Sequence, residues 1–557
     1  MTHNLHRCLT CFLLFLSFSV SAQDPLLDIL QKELTREFDE LKKQEIPPYF
    51  ISYKVGDRTS IDIAGSFGCL ERVNTSSSRF LATQIRVGSP DLDNFHEMKG
   101  TNAMTMMSRP QLPVENNEDA IRQVLWQTTN ENYYQAIQKL TQIKGNLAVN
   151  VPDEDKSPDF SSGVPVQSCD PQMKTTLDKG VEEKLINKVR LYSKAFARSK
   201  DLTSSSVRFQ IVFARDYFVS TEGSKIAENH PSINLFVSAN VLAEDGMDLS
   251  LYKTYYLTDL KDLPKDETVV SQINAMVKKL EDLKQSPVVD PYSGPALFSG
   301  EATGVFFHEI FGHRVEAARM KSENDAQTFK NKVGQQVLNK NISVIFDPTL
   351  STYKGFRLSG SYQYDDEGTQ AQRVVVVDKG VLSGFLTNRT PIKGFENSNG
   401  HGRGQIGMTP VARQSNLIVE SDQVLSEADL RKLFVEELKK QNLEFGYYFK
   451  VVSGGFTMTN RIMPNAFNVT PLEVYKVYVD GKADELVRGI NLVGTPLAMF
   501  SEIEAVGGEL GQFVGTCGAE SGGVPVSSVC PMMMVKKIEI QKKQKSGNSK
   551  PILDRPF

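Results

Sequence analysis

The chain lacks a surplus of either charge. It sets 63 Lys and Arg against 67 Asp and Glu in 557 residues, a formal net charge of -4. Nucleic-acid binding normally asks for a basic footprint, so that class is set aside. A second long apolar run is also missing, and after the first 22 residues no stretch is long enough to span a bilayer. A dinucleotide fingerprint is absent too. The glycine-rich stretch Asn399-Gly400-His401-Gly402-Arg403-Gly404 has no helical pattern after it. His96-Glu97 looks like half of a zinc motif, but no second His follows, and it reads as surface.

The first 22 residues have the layout of a signal peptide. His3, His6 and Arg7 lead into the apolar run Leu9 to Val20, and Val20-Ser21-Ala22 offers small residues for cleavage. The expectation is an exported protein, periplasmic or extracellular, whose net charge becomes about -5 once Arg7 is removed. About 535 residues then remain, too many for one core and suited to two or three domains. Apolar content of 40% and charged content of 23% are ordinary globular values.

Asp24-Pro25 is a helix start, with Asp as N-cap and Pro at the first position, and Leu26, Leu30, Leu34, Phe38 and Leu41 form an apolar stripe behind it. Tyr49 to Val55 and Phe80 to Val87 alternate as strands do, and Asn117 to Ile143 is helix-like. Residues 150–175, rich in Asp, Pro and Ser, read as a loop. A helix over Val181 to Ser199, strands over Val207 to Val219 and Ser232 to Ala243, and a helix over Glu267 to Leu283 give an α/β region for residues 23–289. Pro287 to Gly300, containing Pro291, Gly294 and Pro295, reads as a linker. The remainder, 290–541, is strand-rich, with Val374 to Val377, Val474 to Val479 and Met534 to Ile540 as examples. Ser426 and Asp429 form a capping-box pattern and Leu425 can staple Leu430, so Ser426 to Gln441 is helical. The fold class is α+β, and the polar tail 542–557 is expected to be disordered.

The most informative stretch is His308-Glu309-Ile310-Phe311-Gly312-His313. It sets two imidazoles and a carboxylate where a zinc ion and an attacking water could be held. In H-E-x-x-H helices the two His lie at i and i+4, about 40° apart and on one face. Here i+4 is Gly312 and the second His is at i+5, about 140° away on a regular helix. Joint ligation therefore requires a π-bulge or break within Glu309 to His313, which Gly312 would ease. The bland alternative is two separate helix histidines, one packed and one solvated.

Around this motif the chain resembles the TldD/PmbA (modulator of gyrase) family of metallopeptidases, which carry a similar H-E-x-x-x-H. Gly360-Ser361-Tyr362 with Asp365-Asp366-Glu367-Gly368-Thr369, then Asp378-Lys379-Gly380, is similar to the family's segment after the metal helix. Leu486-Val487-Arg488-Gly489, Leu492-Val493-Gly494 and Gly507-Gly508 follow in family order. Cys517-Gly518 before Gly523-Val524-Pro525-Val526 resembles the C-terminal signature, and Ser220-Thr221-Glu222-Gly223 is a weaker N-terminal match. The resemblance implies Zn2+ held by His308, His313 and Cys517, with Glu309 as general base and a fourth position open for water. It also implies a catalytic domain over 290–541 that hydrolyses peptides or unfolded segments in a closed chamber. The family's non-catalytic subunits lack the motif that this chain keeps, which implies the active TldD type. Family particles pair two subunits, which implies a homodimer or a heterodimer with a homologous chain. Two other functions stay open: a non-catalytic binding or partner subunit, and another zinc hydrolase on the same scaffold.

Export would leave four cysteines, Cys69, Cys169, Cys517 and Cys530. An oxidising compartment favours pairing them. A Cys517 to Cys530 bridge would compete with zinc, and Cys69 with Cys169 is the other pairing weighed. The glycine-rich stretch reads as a mobile surface loop or as a substrate flap in which His401 or Arg403 contacts the peptide or a developing oxyanion. The family's similar stretch ends in Arg, which favours Arg403, and His401 could displace Cys517 as a ligand.

Overall fold

The computed structural model describes residues 24–97, 108–148, 155–461, 467–543 and 553. The leader 1–22 lies outside them, as does the tail beyond Lys543 apart from Leu553. Lys542 itself ends a strand. The fold is mixed α+β.

In the first half, Asp24 caps the helix Pro25–Leu41 by accepting from the backbone N–H of Leu26 and Leu27. The stripe of Leu26, Leu30 and Leu34 is buried against a sheet. That sheet is built on the hairpin Pro48–Ser66 and Cys69–Ser89, closed by Phe67-Gly68 with φ of 48° and 88°, as a tight two-residue turn requires. Each arm is far longer than its apolar alternation. Residues 71–77 are exposed on both faces, so no buried side imprints a period of two there. The first arm is held instead by ladders to its neighbours on either side, Cys69–Ser89 and Leu202–Ser220. Ser232–Leu242 and Asp248–Leu257 extend the sheet. Helices Glu118–Leu147, Lys179–Lys194 and Asp266–Gln285 follow the apolar patterns that mark them, the third with Val269, Ile273, Val277 and Leu280 buried. From residue 155 the expected loop is irregular, except for the short strand Gln167–Cys169.

The stretch read as a linker is different. Tyr292–Phe298 is a strand in the second sheet, parallel to Phe445–Thr457 and antiparallel to Gly522–Lys542. Its apolar core Ala296-Leu297-Phe298 is buried on both faces and too short to show a period. Pro295 is tolerated because the ladder shifts register opposite it, between Val535 and Ile538. This strand closes a ring: Gly522–Lys542 pairs Ile490–Gly494, then Phe467–Tyr478, then Phe445–Thr457, which returns through Tyr292–Phe298. The helix Glu427–Lys440 packs outside, capped by Ser426, with Leu425 against the cluster that holds Leu430.

The helix Gly300–Ile310 starts immediately after this strand. Ser299 caps it by accepting from Ala302 N and donates to Lys450 O. It rests on strand backbone because Gly300 has no side chain. A Cβ there would stand 2.1 Å from Gly511 N and 2.3 Å from Cys530 O. Both obstacles are main chain and cannot swing aside, so Gly300→Ala is expected to destabilise the fold by about 1–3 kcal/mol. Denaturant midpoints check this, and an unchanged midpoint would contradict it.

Candidate metal centre

The His308 helix ends at Ile310, two residues before Gly312. Its last i→i−4 bond runs from Phe311 N to Phe307 O, and Phe311 (φ -119°, ψ -53°) departs from helical geometry. A 3₁₀ turn, Gly312–Arg314, follows. The deviation expected for an i+5 pair is thus a stop and a tightened turn rather than a π-bulge. Gly312 is needed for space rather than for an unusual φ: a Cβ would lie 1.9 Å from Gln414 Oε1.

This turn brings the imidazoles together, with ring centroids 4.9 Å apart at 82°. Cys517, near the end of the strand Ile503–Ala519, places Sγ 3.4 Å from His313 Nε2. Ligand atoms of His308, His313 and Cys517 all lie within 4.8 Å of one another, and all three residues are buried. Donors around a tetrahedral zinc stand about 3.3–3.7 Å apart, given bond lengths of ~2.0 Å to nitrogen and ~2.3 Å to sulfur. Cys517 Sγ and His313 Nε2 stand at that spacing, and two imidazoles with a soft thiolate are a donor set that suits zinc.

The surrounding charges favour ligation. Burial pushes the Cys517 thiol up, but the imidazoles of His313 and His308 outweigh it and hold the thiol well below its usual range. Burial pushes the His313 imidazolium down, yet Cys517 and Glu316 raise it to about 10. Glu316, fully buried, accepts from His313 Nδ1 at 3.1 Å and from Arg319 Nε at 3.1 Å. Burial raises the Glu316 carboxyl, but His313, Arg319 and Arg413 bring it down to about 2. A carboxylate behind a ligating imidazole fixes its tautomer and orientation. Glu316 was absent from the sequence reading, though its place one short turn after His313 was a usable signal. Arg413 and Gln414, about a hundred residues from the motif, gave none. Arg413 donates to Cys517 O at 2.7 Å and reaches Sγ at 3.3 Å.

The three candidate ligands and Glu309 line one cleft of about 490 Å³. Its walls are Ser453–Thr457 from one strand and Phe513–Ala519 from another, continued by Glu520 in the turn, with Tyr252 contributed by the first half. Glu309 faces the first wall at Gly455, where an added Cβ would come within 3.1 Å of its Cγ.

His401 and Arg403 are not at this cleft. The stretch carrying them is neither a surface loop nor a flap: Gly402–Arg403 pairs with Val411–Ala412 and both side chains are buried. Its glycines serve close packing, since a Cβ on Gly402 would meet Glu367 Oε2 at 2.5 Å. His401 cannot displace Cys517, because its Nε2 faces Ser415 Oγ at 3.1 Å and its Nδ1 faces Asn399. Burial pushes this imidazole down to about 3, so it stays neutral. Arg403 donates to Gln414 O at 2.5 Å and lies over the Tyr362 ring. His96 is half-buried rather than surface, its Nδ1 2.8 Å from Asp159 Oδ1.

Neither bridge weighed for the cysteines can form. All four are free. Register sets Cys530 opposite Gly511, six residues along the strand from Cys517, or roughly 20 Å at ~3.3 Å per residue. Cys69 pairs with Ser66, whereas Cys169 aligns through Ala227 and Tyr217 with Val55. That gap of eleven residues is roughly 36 Å. A disulfide needs Cα atoms within about 7 Å. A thiol count on the denatured, unreduced protein is therefore expected to find Cys69, Cys169, Cys517 and Cys530 all reactive.

Two buried imidazoles and a thiol converge beside a carboxylate in a strand-walled cleft, a donor set of the metallohydrolase type. Residues 291–542 match the profile of the PmbA/TldA metallopeptidase C-terminal domain. A metalloprotease of Methanothermobacter thermautotrophicus is 28% identical over 340 residues, 60% of this chain and 69% of that one. A zinc metalloprotease TldD homolog of Saccharolobus solfataricus is 24% identical over 65% of this chain and 77% of its own. The structure of TldE from Thermococcus kodakarensis superposes with a TM-score of 0.60 at 14% identity, covering 93% of this chain and 100% of that one. The second half of the chain is thus a PmbA/TldA-type metallopeptidase C-terminal domain, and about two thirds of the chain is similar to TldD metalloproteases.

Proposed function

We propose that the chain is an exported zinc metallopeptidase of the active TldD type that hydrolyses peptide bonds in peptides or unfolded segments. The observation that carries this reading is the convergence of His308, His313 and Cys517 beside Glu309 in one cleft. Those three residues would hold the ion, which when bound supplies Lewis acidity toward a carbonyl oxygen and lowers the pKa of water. Glu309 takes a proton from the attacking water as its oxygen bonds to the carbonyl carbon. It returns that proton to the leaving amine as the C–N bond breaks.

The cleft walls support a peptide as the substrate. Ser453–Thr457 is laddered on one side by Phe467–Tyr478, and its former neighbour Tyr292–Phe298 pairs no further than Phe449. Among the described residues the Phe513–Ala519 wall is laddered only by Gly522–Lys542. Each wall thus turns a strand edge to the cleft, and an extended peptide can add to such an edge whatever its side chains. A homodimer or a pairing with a homologous subunit belongs to the same proposal. Among the described residues no helix is long and apolar enough to cross a membrane.

Metal analysis of the purified protein together with turnover of short unstructured peptides, before and after chelation, tests the reading. One zinc per chain and chelator-sensitive hydrolysis are expected. Zinc without turnover across a broad peptide library would make the chain a binding subunit. The proposal also fixes a pH dependence. His313 without metal keeps its proton up to about pH 10, so zinc entering below that pH displaces one proton. Zinc affinity is expected to rise about tenfold per pH unit and to level off above about 10. Competition titrations in zinc buffers measure this, and a flat profile would contradict it.

A further inference from the structure

The Gly300–Ile310 helix ends without the usual C-terminal cap, and its last carbonyls are claimed by side chains. In a continued helix His308 O would accept from Gly312 N. Here it accepts from Gln414 Nε2 at 3.3 Å. Glu309 O and Ile310 O accept from Arg314 Nη1 at 2.7 and 3.3 Å, and the other arm of Arg314 reaches Thr457 Oγ1 at 2.7 Å on the cleft wall. The Gln414 carboxamide occupies the volume that a Cβ on residue 312 would need. It therefore leaves no room for a side chain at position 312 and satisfies the carbonyl that the stop leaves orphaned.

Other atoms of the same two residues reach the remaining candidate ligands. The Gln414 backbone N–H donates to Glu316 Oε1 at 3.3 Å, while Glu316 Oε2 holds His313 Nδ1. Arg413 forks across Cys517, to O at 2.7 Å and Sγ at 3.3 Å, and anchors its other nitrogen on Ser521 Oγ at 2.6 Å and Gly522 O at 3.0 Å. The Arg413 and Gln414 side chains are fully buried. They are held from behind: Arg413 N donates to His401 O at 2.9 Å, and the His401 ring contacts Ser415.

We infer that Arg413-Gln414 is the positioning element of the metal centre, a dipeptide that sets the His308 turn, the His313 orientation and the Cys517 thiolate from the short link between the strands Val411–Ala412 and Asn416–Ser421. This rests on the zinc reading above. It explains how a pair of histidines at i and i+5 shares a site: the register is imposed from outside the helix, by Gln414 filling the notch at Gly312. It also gives the buried stretch around His401 a role, as the support of that link.

The test compares the full chain with Gln414→Met, which keeps the volume but has no donor, and Arg413→Lys, which keeps the charge but loses the fork. Zinc affinity is measured by chelator competition, the visible spectrum of the cobalt-loaded protein reports ligand geometry, and thermal melting is followed without metal. A positioning role predicts zinc binding weaker by about 10- to 100-fold in each variant, altered cobalt bands, and metal-free melting close to wild type. A merely structural role would lower the melting temperature and leave the affinity of the folded fraction intact. If Gln414→Met melts early, Gln414→Glu, of the same shape and without a donor toward His308 O, decides on the same readouts. Wild-type protein that takes up no zinc would overturn the zinc reading itself. Zinc uptake by wild type with variants within about twofold of it would overturn the positioning role alone.

Discussion

Glu309→Gln is expected to abolish peptide hydrolysis while keeping zinc and fold, with kcat lower by about 10²- to 10⁴-fold, the usual contribution of a positioned general base. The replacement is nearly isosteric and removes only the proton-accepting oxygen. Glu309 is buried at the cleft between the two candidate histidine ligands in sequence, with Gly455 leaving it room. It is not among the three residues whose ligand atoms cluster, so zinc stoichiometry should stay at wild-type level. Because the effect falls on proton transfer rather than on binding, KM for a short unstructured peptide should change little. Turnover like that of wild type in this variant would move the base elsewhere.

Local chemistry was the part of the fold legible in the sequence. Asp24-Pro25 and Ser426 with Asp429 act within one helical turn, so the caps they announce are present whatever packs around them. The helix Asp266–Gln285 writes its buried face at i, i+4 and i+8. By contrast, the polar middle of the Pro48–Ser89 hairpin carries no period, because its strand state comes from ladders with partners distant in sequence. Tyr292–Phe298 fails for the opposite reason. Buried on both sides in a closed ring, it shows a short apolar run behind a glycine and a proline, which look like a linker.

The candidate site divides along the same line. His308, Glu309 and His313 lie in six residues, and the odd spacing alone required a break in the helix. Cys517 was reached only through the family resemblance, and what surrounds it follows from topology. The glycines near His401 looked like freedom from structure, yet they are where backbone passes close to Glu367 and Gln370. Arg413 and Gln414 have ordinary local sequence, and their importance comes from where the strand that follows them, Asn416–Ser421, enters the sheet beside Gly522–Lys542.

The other large effect is expected at the ligands themselves. Cys517→Ser should remove zinc and with it all hydrolysis, a loss of affinity beyond the roughly 10- to 100-fold typical of deleting an outer partner, because an alcohol is a far poorer zinc ligand than a thiolate. The fold should survive. Serine is close in size, and Arg413 keeps its bonds to Cys517 O, Ser521 Oγ and Gly522 O, none of which involves the sulfur. His308→Ala should also lose zinc with a modest effect on stability. His313→Ala should cost more, since it takes one partner from Glu316, a carboxylate with no exposed surface whose remaining neighbours are Arg319, Arg413 and Gln414 N. A buried charge that loses a partner is strongly destabilising. Metal analysis and denaturant melts on the three variants separate these outcomes: zinc retained at one per chain in all of them would refute the ligand set, and equal melting of His308→Ala and His313→Ala would refute the part given to Glu316.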